Sequence, residues 1–162
     1  MHSHINYGCQ IFGSANQNIL NKLSALQNKS IRNLAKLKYN AHTNLTYYDL
    51  GILKLNDQIK YNRILFMHKY RYGMLPDVFN NMYTYNLDTD ARSSRQNDCN
   101  FVIPETASKI RSPYIDSIIN WNSIPYNLKS IRKHLTFKSE LKKFFIEKYN
   151  TICDVQNCYS CR

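Results

Sequence analysis

At 162 residues the chain has the length of one ordinary domain, and 43% hydrophobic content with 13 Tyr, 7 Phe and one Trp excludes a disordered tail. Lys and Arg number 22 against 11 acids, and a net charge of +11 sets up a field that attracts polyanions, nucleic acid foremost. Part of that charge is discounted, because surplus lysine also serves solubility and the abundance of Asn, Lys, Ile and Tyr fits an A/T-rich coding sequence.

The first clear element spans residues 15–38, where Ile19, Leu20, Leu23, Leu26, Ile31, Leu34 and Leu37 recur at helical spacing. This predicts one apolar stripe turned to a core. The charged residues of the span are all basic: Lys22, Lys29, Arg32, Lys36 and Lys38, five positive charges with no acid between them. Upstream, residues 7–13 carry apolar positions without a partner before them, and Gly13 is placed to end a preceding helix, so the chain reads as beginning partway through a structure.

Gly51 breaks the pattern, after which Asn56 is a candidate N-cap with Asp57 in the first turn of a helix running to about Tyr72. That helix sets Ile59, Ile64, Leu65 and Met67 against Lys60, Arg63, Lys69 and Arg71, and Gly73 supplies its stop. Residues 74–82 suggest a shorter helix with Pro76 at its start and Val78, Phe79 and Met82 along it.

Residues 84–100 have no apolar period and read as a loop, with Asp88 and Asp90 as turn formers followed by Arg92 and Arg95. Phe101, Val102 and Ile103 leave room for a short β pair near 99–115, which Pro104 confines to an edge or an end. Pro125 must break any helix near residue 123. Beyond it come Arg132 and Lys133, then a helix with Thr136 as its cap. Phe137, Leu141, Phe144, Phe145 and Tyr149 form its stripe, beside Lys138, Lys142, Lys143 and Lys148.

The fold class that follows is mainly α: a small domain of about five helices over residues 1–150, with a loose cysteine-containing tail at 151–162. No apolar run approaches the roughly 20 residues of a membrane helix, and the first six residues lack the pattern of a signal peptide. An intracellular setting, nucleus or cytoplasm, is expected, with no membrane partner.

Catalytic patterns are missing. No glycine-rich phosphate loop occurs, the histidines never stand at H-E-x-x-H spacing, and no serine sits in a G-x-S-x-G elbow. The five cysteines are odd in number and read as free thiols; Cys153, Cys158 and Cys161 could offer three thiolates to zinc, but no fourth ligand follows. No metal and no cofactor are expected. What remains is basic residues beside aromatics, with Tyr39, Tyr70, Tyr72, Tyr114 and Trp121 as candidates to stack bases, although most such rings belong to cores.

Read in order, several segments resemble the C-terminal part of non-LTR retrotransposon reverse transcriptases of the jockey-like kind. Tyr7-Gly8 with Phe12-Gly13 is similar to the family's Y-G-x-x-x-W-G, and residues 26–32, LQNKSIR, to its L-Q-N-K-A-I-R. Residues 51–57, GILKLND, resemble N-I-L-K-L-x-D; Phe66-Met67-His68-Lys69 and Leu75-Pro76 with Phe79 resemble F-M-Y-K and L-P-x-x-F. Residues 121–125, WNSIP, and Phe137-Lys138 with Leu141-Lys142-Lys143 look like W-N-S-L-P and F-K-x-x-L-K-K. The chain departs from the family's H-x-Y-x-T-R, having Leu87, Thr89 and Ala91 before Arg92.

The resemblance implies thumb-like helices downstream of a polymerase palm, in contact with a template-primer of RNA or DNA. It implies as partners the palm, fingers and endonuclease of a longer chain, which are absent here, so the expected piece is inactive alone. Lysines and arginines of the amphipathic helices, with Lys29, Arg32, Lys36, Lys138, Lys142 and Lys143 foremost, are the expected phosphate contacts. The alternative is a free-standing basic helical module that binds nucleic acid or protein without enzymatic activity.

Overall fold

The computed structural model describes residues 8–86, 99–104 and 112–150. The chain is mainly helical. Four rods carry it: α2 (Gln17–Leu34), α4 (Leu55–Arg71), α5 (Pro113–Asn122) and α7 (His134–Glu147). Short turns of helix, α1 (Cys9–Phe12), α3 (Asn44–Asp49) and α6 (Tyr126–Lys129), lie between them. Among the described residues, no helix is long and apolar enough to cross a membrane. The tail at 151–162 lies outside the described residues.

Helix ends are set by local chemistry. Asn16 caps α2, its side chain accepting from the Asn18 amide at 2.9 Å, and Ser112 caps α5 in the same way through Tyr114, with Pro113 next in line. Three helices stop by one device, in which a left-handed residue lets the chain fold back onto the last turn. After α3, Gly51 (φ 60) precedes the bond from the Ile52 amide to the Tyr47 carbonyl; after α4, Gly73 (φ 63) precedes that from Met74 to Lys69. After α2 the same position holds Lys36 (φ 52), with Leu37 bonded to Arg32 at 2.9 Å and Lys36 itself to Asn33 at 3.3 Å.

The chain divides into two compact units. One comprises Met1–Ile59 and Leu141–Arg162, the other Lys60–Glu140. In the first, Cys9, Leu20, Leu55 and Ile59 form a core cluster, with Phe12 against it. Gly13 does end α1, but in right-handed geometry (φ −61). The need for glycine there is space, since a Cβ would stand 2.4 Å from the Ile59 side chain.

The buried edge of α2 differs from its apolar stripe. Leu20 and Ile31 are buried, but Ile19, Leu23, Leu26, Leu34 and Leu37 are exposed, and Gln27, Asn28 and Arg32 take their places inside. These polar groups are satisfied by backbone and hydroxyls. The Gln27 amide donates to the Leu53 carbonyl (3.0 Å) while its oxygen accepts from the Leu55 amide (2.8 Å), pinning the segment that leads into α4. Asn28 accepts from the Tyr47 hydroxyl at 2.9 Å, and Arg32 donates through Nε to the Ala41 carbonyl at 2.8 Å. A buried polar group costs nothing comparable to a lost hydrogen bond once so paired.

Tyr149 closes this unit. Its ring meets Tyr47 edge-on, its hydroxyl donates to Asp57, and it accepts from the Lys54 amide at 3.2 Å. Helix α4 begins at Leu55, one residue before the expected cap, because the Lys54 carbonyl already accepts from Gln58; Asn56 therefore lies inside the first turn. Likewise α7 begins at His134, so Thr136 is not its cap; the Lys133 carbonyl receives the Phe137 amide.

The second unit has an aromatic core built on Trp121, Phe101, Tyr83, Phe137 and the fully buried His68. His68 stacks on Phe137 with centroids 4.0 Å apart, and Tyr83 stacks on Tyr114 at 4.7 Å. The expected helix at 74–82 reduces to a single 3-10 turn, Asp77–Phe79, with Val78 and Met82 exposed and Phe79 set edge-on to Phe66.

Among the described residues no strand forms. The extended segment at Phe101 makes one antiparallel bridge with Tyr85, flanked by the bonds Asn86 to Asn100 and Val102 to Thr84. Its other edge is taken by a side chain. Asn122 accepts from the Phe101 amide at 3.1 Å and donates to the Phe101 carbonyl at 2.9 Å. Trp121 beside it donates its indole N–H to the Cys99 carbonyl at 2.8 Å. Lys129 is fully buried, donating to the Asn100 side chain (2.8 Å) and the Asn122 carbonyl (3.0 Å), and burial pushes its ammonium down to about 8.

Candidate nucleic-acid interface

Charge on the outside of α2 follows from its spacing. Lys22 and Lys29 stand seven residues apart, two turns of helix, and therefore share one side. Asn33 falls on the same side one turn later, whereas Arg32, an expected phosphate contact, turns inward and is buried, so the row from Lys22 to Lys29 runs along about 10 Å of axis. Lys22, Lys29, Lys36 and Lys38 are exposed. The first acid of the chain is Asp49, so nothing within residues 1–48 neutralises this row from its own segment.

The row borders a cleft. About 500 Å³ of open volume is lined by Ala25, Lys29, Arg32, Asn33, Tyr39 and Asn40, between the C-terminal half of α2 and the loop that follows it. The small Ala25 side chain, one turn before Lys29, leaves the space; a longer residue there would fill it. Arg32 reaches this wall only 7% exposed, its orientation held by the bond from Nε to Ala41. Tyr39 stands at the mouth with 89% of its surface in solvent.

The remaining candidate cations divide into two groups. Lys69, Arg132, Lys133, Lys138, Lys142 and Lys143 are exposed, with Lys138 and Lys142 one turn apart on α7. Arg63 and Arg71 turn inward instead. Arg63 is 5% exposed and pairs with Asp116 at 3.1 Å, because it stands one turn before the buried Met67 on the inward row of α4. Arg71 donates to the Cys99 sulfur at 3.3 Å and lies 5.9 Å from the Tyr85 ring. Neither is placed to meet a phosphate. Arg92 and Arg95 lie outside the described residues.

The candidate stacking rings are sorted the same way. Trp121 is buried; Tyr70 exchanges two bonds with the Tyr83 backbone, Tyr72 donates to the Lys129 carbonyl, and Tyr114 donates to the Met82 carbonyl. Tyr39 is the one of the five that offers a ring to solvent. Asn33 and Asn40 were not candidates from sequence; Asn33 was within reach of it, lying four residues after Lys29 on a row of known hand.

Two histidines meet in the second unit, His68 Nδ1 and His134 Nδ1 being 3.2 Å apart. His68 Nε2 lies 2.8 Å from the Ile131 carbonyl, which only accepts, so Nε2 carries the proton and Nδ1 accepts from His134. Burial, the leading cause, and nearby cations lower the pKa of both. Among the described residues no group of three or more His, Cys, Asp or Glu could hold a metal ion. Cys153, Cys158 and Cys161 lie outside the described residues.

No family model, no curated protein and no solved structure matches the chain.

Proposed function

We propose that the chain binds nucleic acid through the acid-free basic side of α2, and that it serves as the thumb and downstream segment of a non-LTR retrotransposon reverse transcriptase. The observation that carries the binding reading is the exposed row Lys22 and Lys29, continued by Lys36 and Lys38, beside a cleft with an exposed tyrosine and with no acid before Asp49. Cations hold phosphates, and an open aromatic face adds a surface for bases. In this reading the chain grips a template-primer while another part of a polymerase performs the chemistry.

The family reading draws support from what its motif residues do. In LQNK, Gln27 and Asn28 brace residues 43–55 from inside; in WN, Trp121 and Asn122 brace residues 99–101. Residues that hold a fold are those a resemblance to a fold would preserve. An in-frame polymerase palm encoded upstream of Met1 is the expected genomic finding. A mature transcript starting at Met1 with no palm would favour a free-standing binding module.

Binding is tested by titrating purified protein with RNA–DNA hybrid, duplex and single strand over a range of salt. Each phosphate neutralised adds about 0.9 to the slope of log K against log salt on B-DNA and about 0.7 on a single strand. A steep negative slope that falls in Lys29→Glu is expected; a flat titration would refute the reading.

A further inference from the structure

We infer that the cleft beside α2 seats an unstacked base of a single-stranded nucleic acid, with Tyr39 as its stacking platform and Lys29 on the adjoining phosphate. This rests on the nucleic-acid reading of α2 and names the form of ligand that the site takes.

Three features argue for a base and not for backbone alone. A phosphate-tracking surface needs charge but no hollow, whereas here about 500 Å³ opens directly against the basic row. That volume is within the range of sites that hold small planar ligands. An aromatic ring left 89% in solvent at the mouth is the second feature. Every base has a π-face, so a platform of this kind accepts any of them, but only when the base is free of its neighbours. In a duplex both faces are already covered, and Tyr39 would have nothing to stack on.

The third is the wall chemistry. Asn33 and Asn40 line the cleft, and each carboxamide both donates and accepts, as the Watson–Crick edge of a base requires. Lys29 supplies a mobile cation at the rim, and Arg32, fixed through Ala41, supplies a second charge whose position does not change with the ligand. The lining contains no acidic residue, which disfavours a cationic occupant, and its area is mainly apolar, as a site for the flat face of a base requires.

The test compares wild type with Tyr39→Ala, Tyr39→Phe and Ala25→Phe by fluorescence anisotropy, using labelled oligothymidylate and a duplex of equal length. Tyr39 and Ala25 are both exposed, so the substitutions remove no buried contact, and an unchanged circular dichroism spectrum is the check on folding. Tyr39→Ala is expected to weaken oligothymidylate binding by about 5- to 100-fold, with Tyr39→Phe close to wild type and the salt slope unchanged in both. Ala25→Phe, which fills the cleft and removes no charge, is expected to weaken single-strand binding likewise. Duplex affinity should stay within about twofold throughout. If the variants bind single strand like wild type while the salt slope remains steep, the base-seating inference is overturned and the electrostatic reading stands. Equal losses on duplex and single strand would overturn it too. A flat slope for wild type would sink both.

Discussion

Lys36 occupies the position where α3 and α4 use glycine, and replacing it separates stability from binding. A side chain at φ 52 crowds the following carbonyl, costing about 1–2 kcal/mol relative to glycine. Glycine gives back about 0.4–1 kcal/mol through the greater freedom of the unfolded chain. Losing a cation from the C-terminal end of α2 forfeits about 0.3 kcal/mol more at an exposed site. The net for Lys36→Gly is a gain of about 0.5 kcal/mol, whereas Lys36→Ala keeps the strain and loses the charge. The two variants should therefore differ by about 1 kcal/mol in favour of glycine, read as the urea midpoint at constant m. In thermal unfolding the same difference amounts to about 2–4 °C at this chain length. Both should lose the same phosphate contact, lowering the salt slope on duplex by about 0.9. An alanine variant as stable as the glycine variant would show that the left-handed turn stores no strain, and the explanation of the helix end would fail.

Acidification should destabilise the second unit through the histidine pair. With both pKa values lowered on folding, the unfolded chain binds more protons below about pH 6.5. Stability is full above that pH and falls as pH drops toward the folded values, because protonated His68 would set two N–H groups face to face. A urea midpoint that stays level between about pH 7 and 5.5, or a His68→Gln variant with an undiminished slope, would contradict this. Gly13→Ala should cost about 2 kcal/mol, since the new methyl meets both Ile59 and the Cys9 carbonyl; a change below about 0.5 kcal/mol in chemical denaturation would refute the close packing. Asn122→Ala leaves the Phe101 amide and carbonyl without their partner and should cost about 2–3 kcal/mol, with hydrogen exchange at the Phe101 amide accelerated; unaltered exchange there would count against the clamp.

Helix positions were legible from spacing because backbone bonding and periodicity act within a few residues. α2, α4 and α7 stand where apolar recurrences put them, and Gly51, Gly73 and Pro125 end or divide elements as their backbone limits require. The inward side of α2 was not legible. Gln27 and Arg32 bury well because the carbonyls of Leu53 and Ala41 await them, and those partners lie 26 and 9 residues away. Arg63 was misread for the same reason, its acid standing on α5, beyond any local window. Of the site, the basic row was visible as a charge pattern. The cleft was not, since it depends on how the chain turns back after the left-handed Lys36 and on the absence of bulk at Ala25.

The side-chain amide at Asn122 has a consequence for what can pair with the Phe101 edge. An extended segment with one neighbour ordinarily leaves a row of unmet donors and acceptors, and such a rim recruits strands from other molecules. Here Tyr85 flanks Phe101 on one side, and the carboxamide occupies the place of a third strand on the other. Lateral growth on the Phe101 side ends there, at a single residue rather than along a strand.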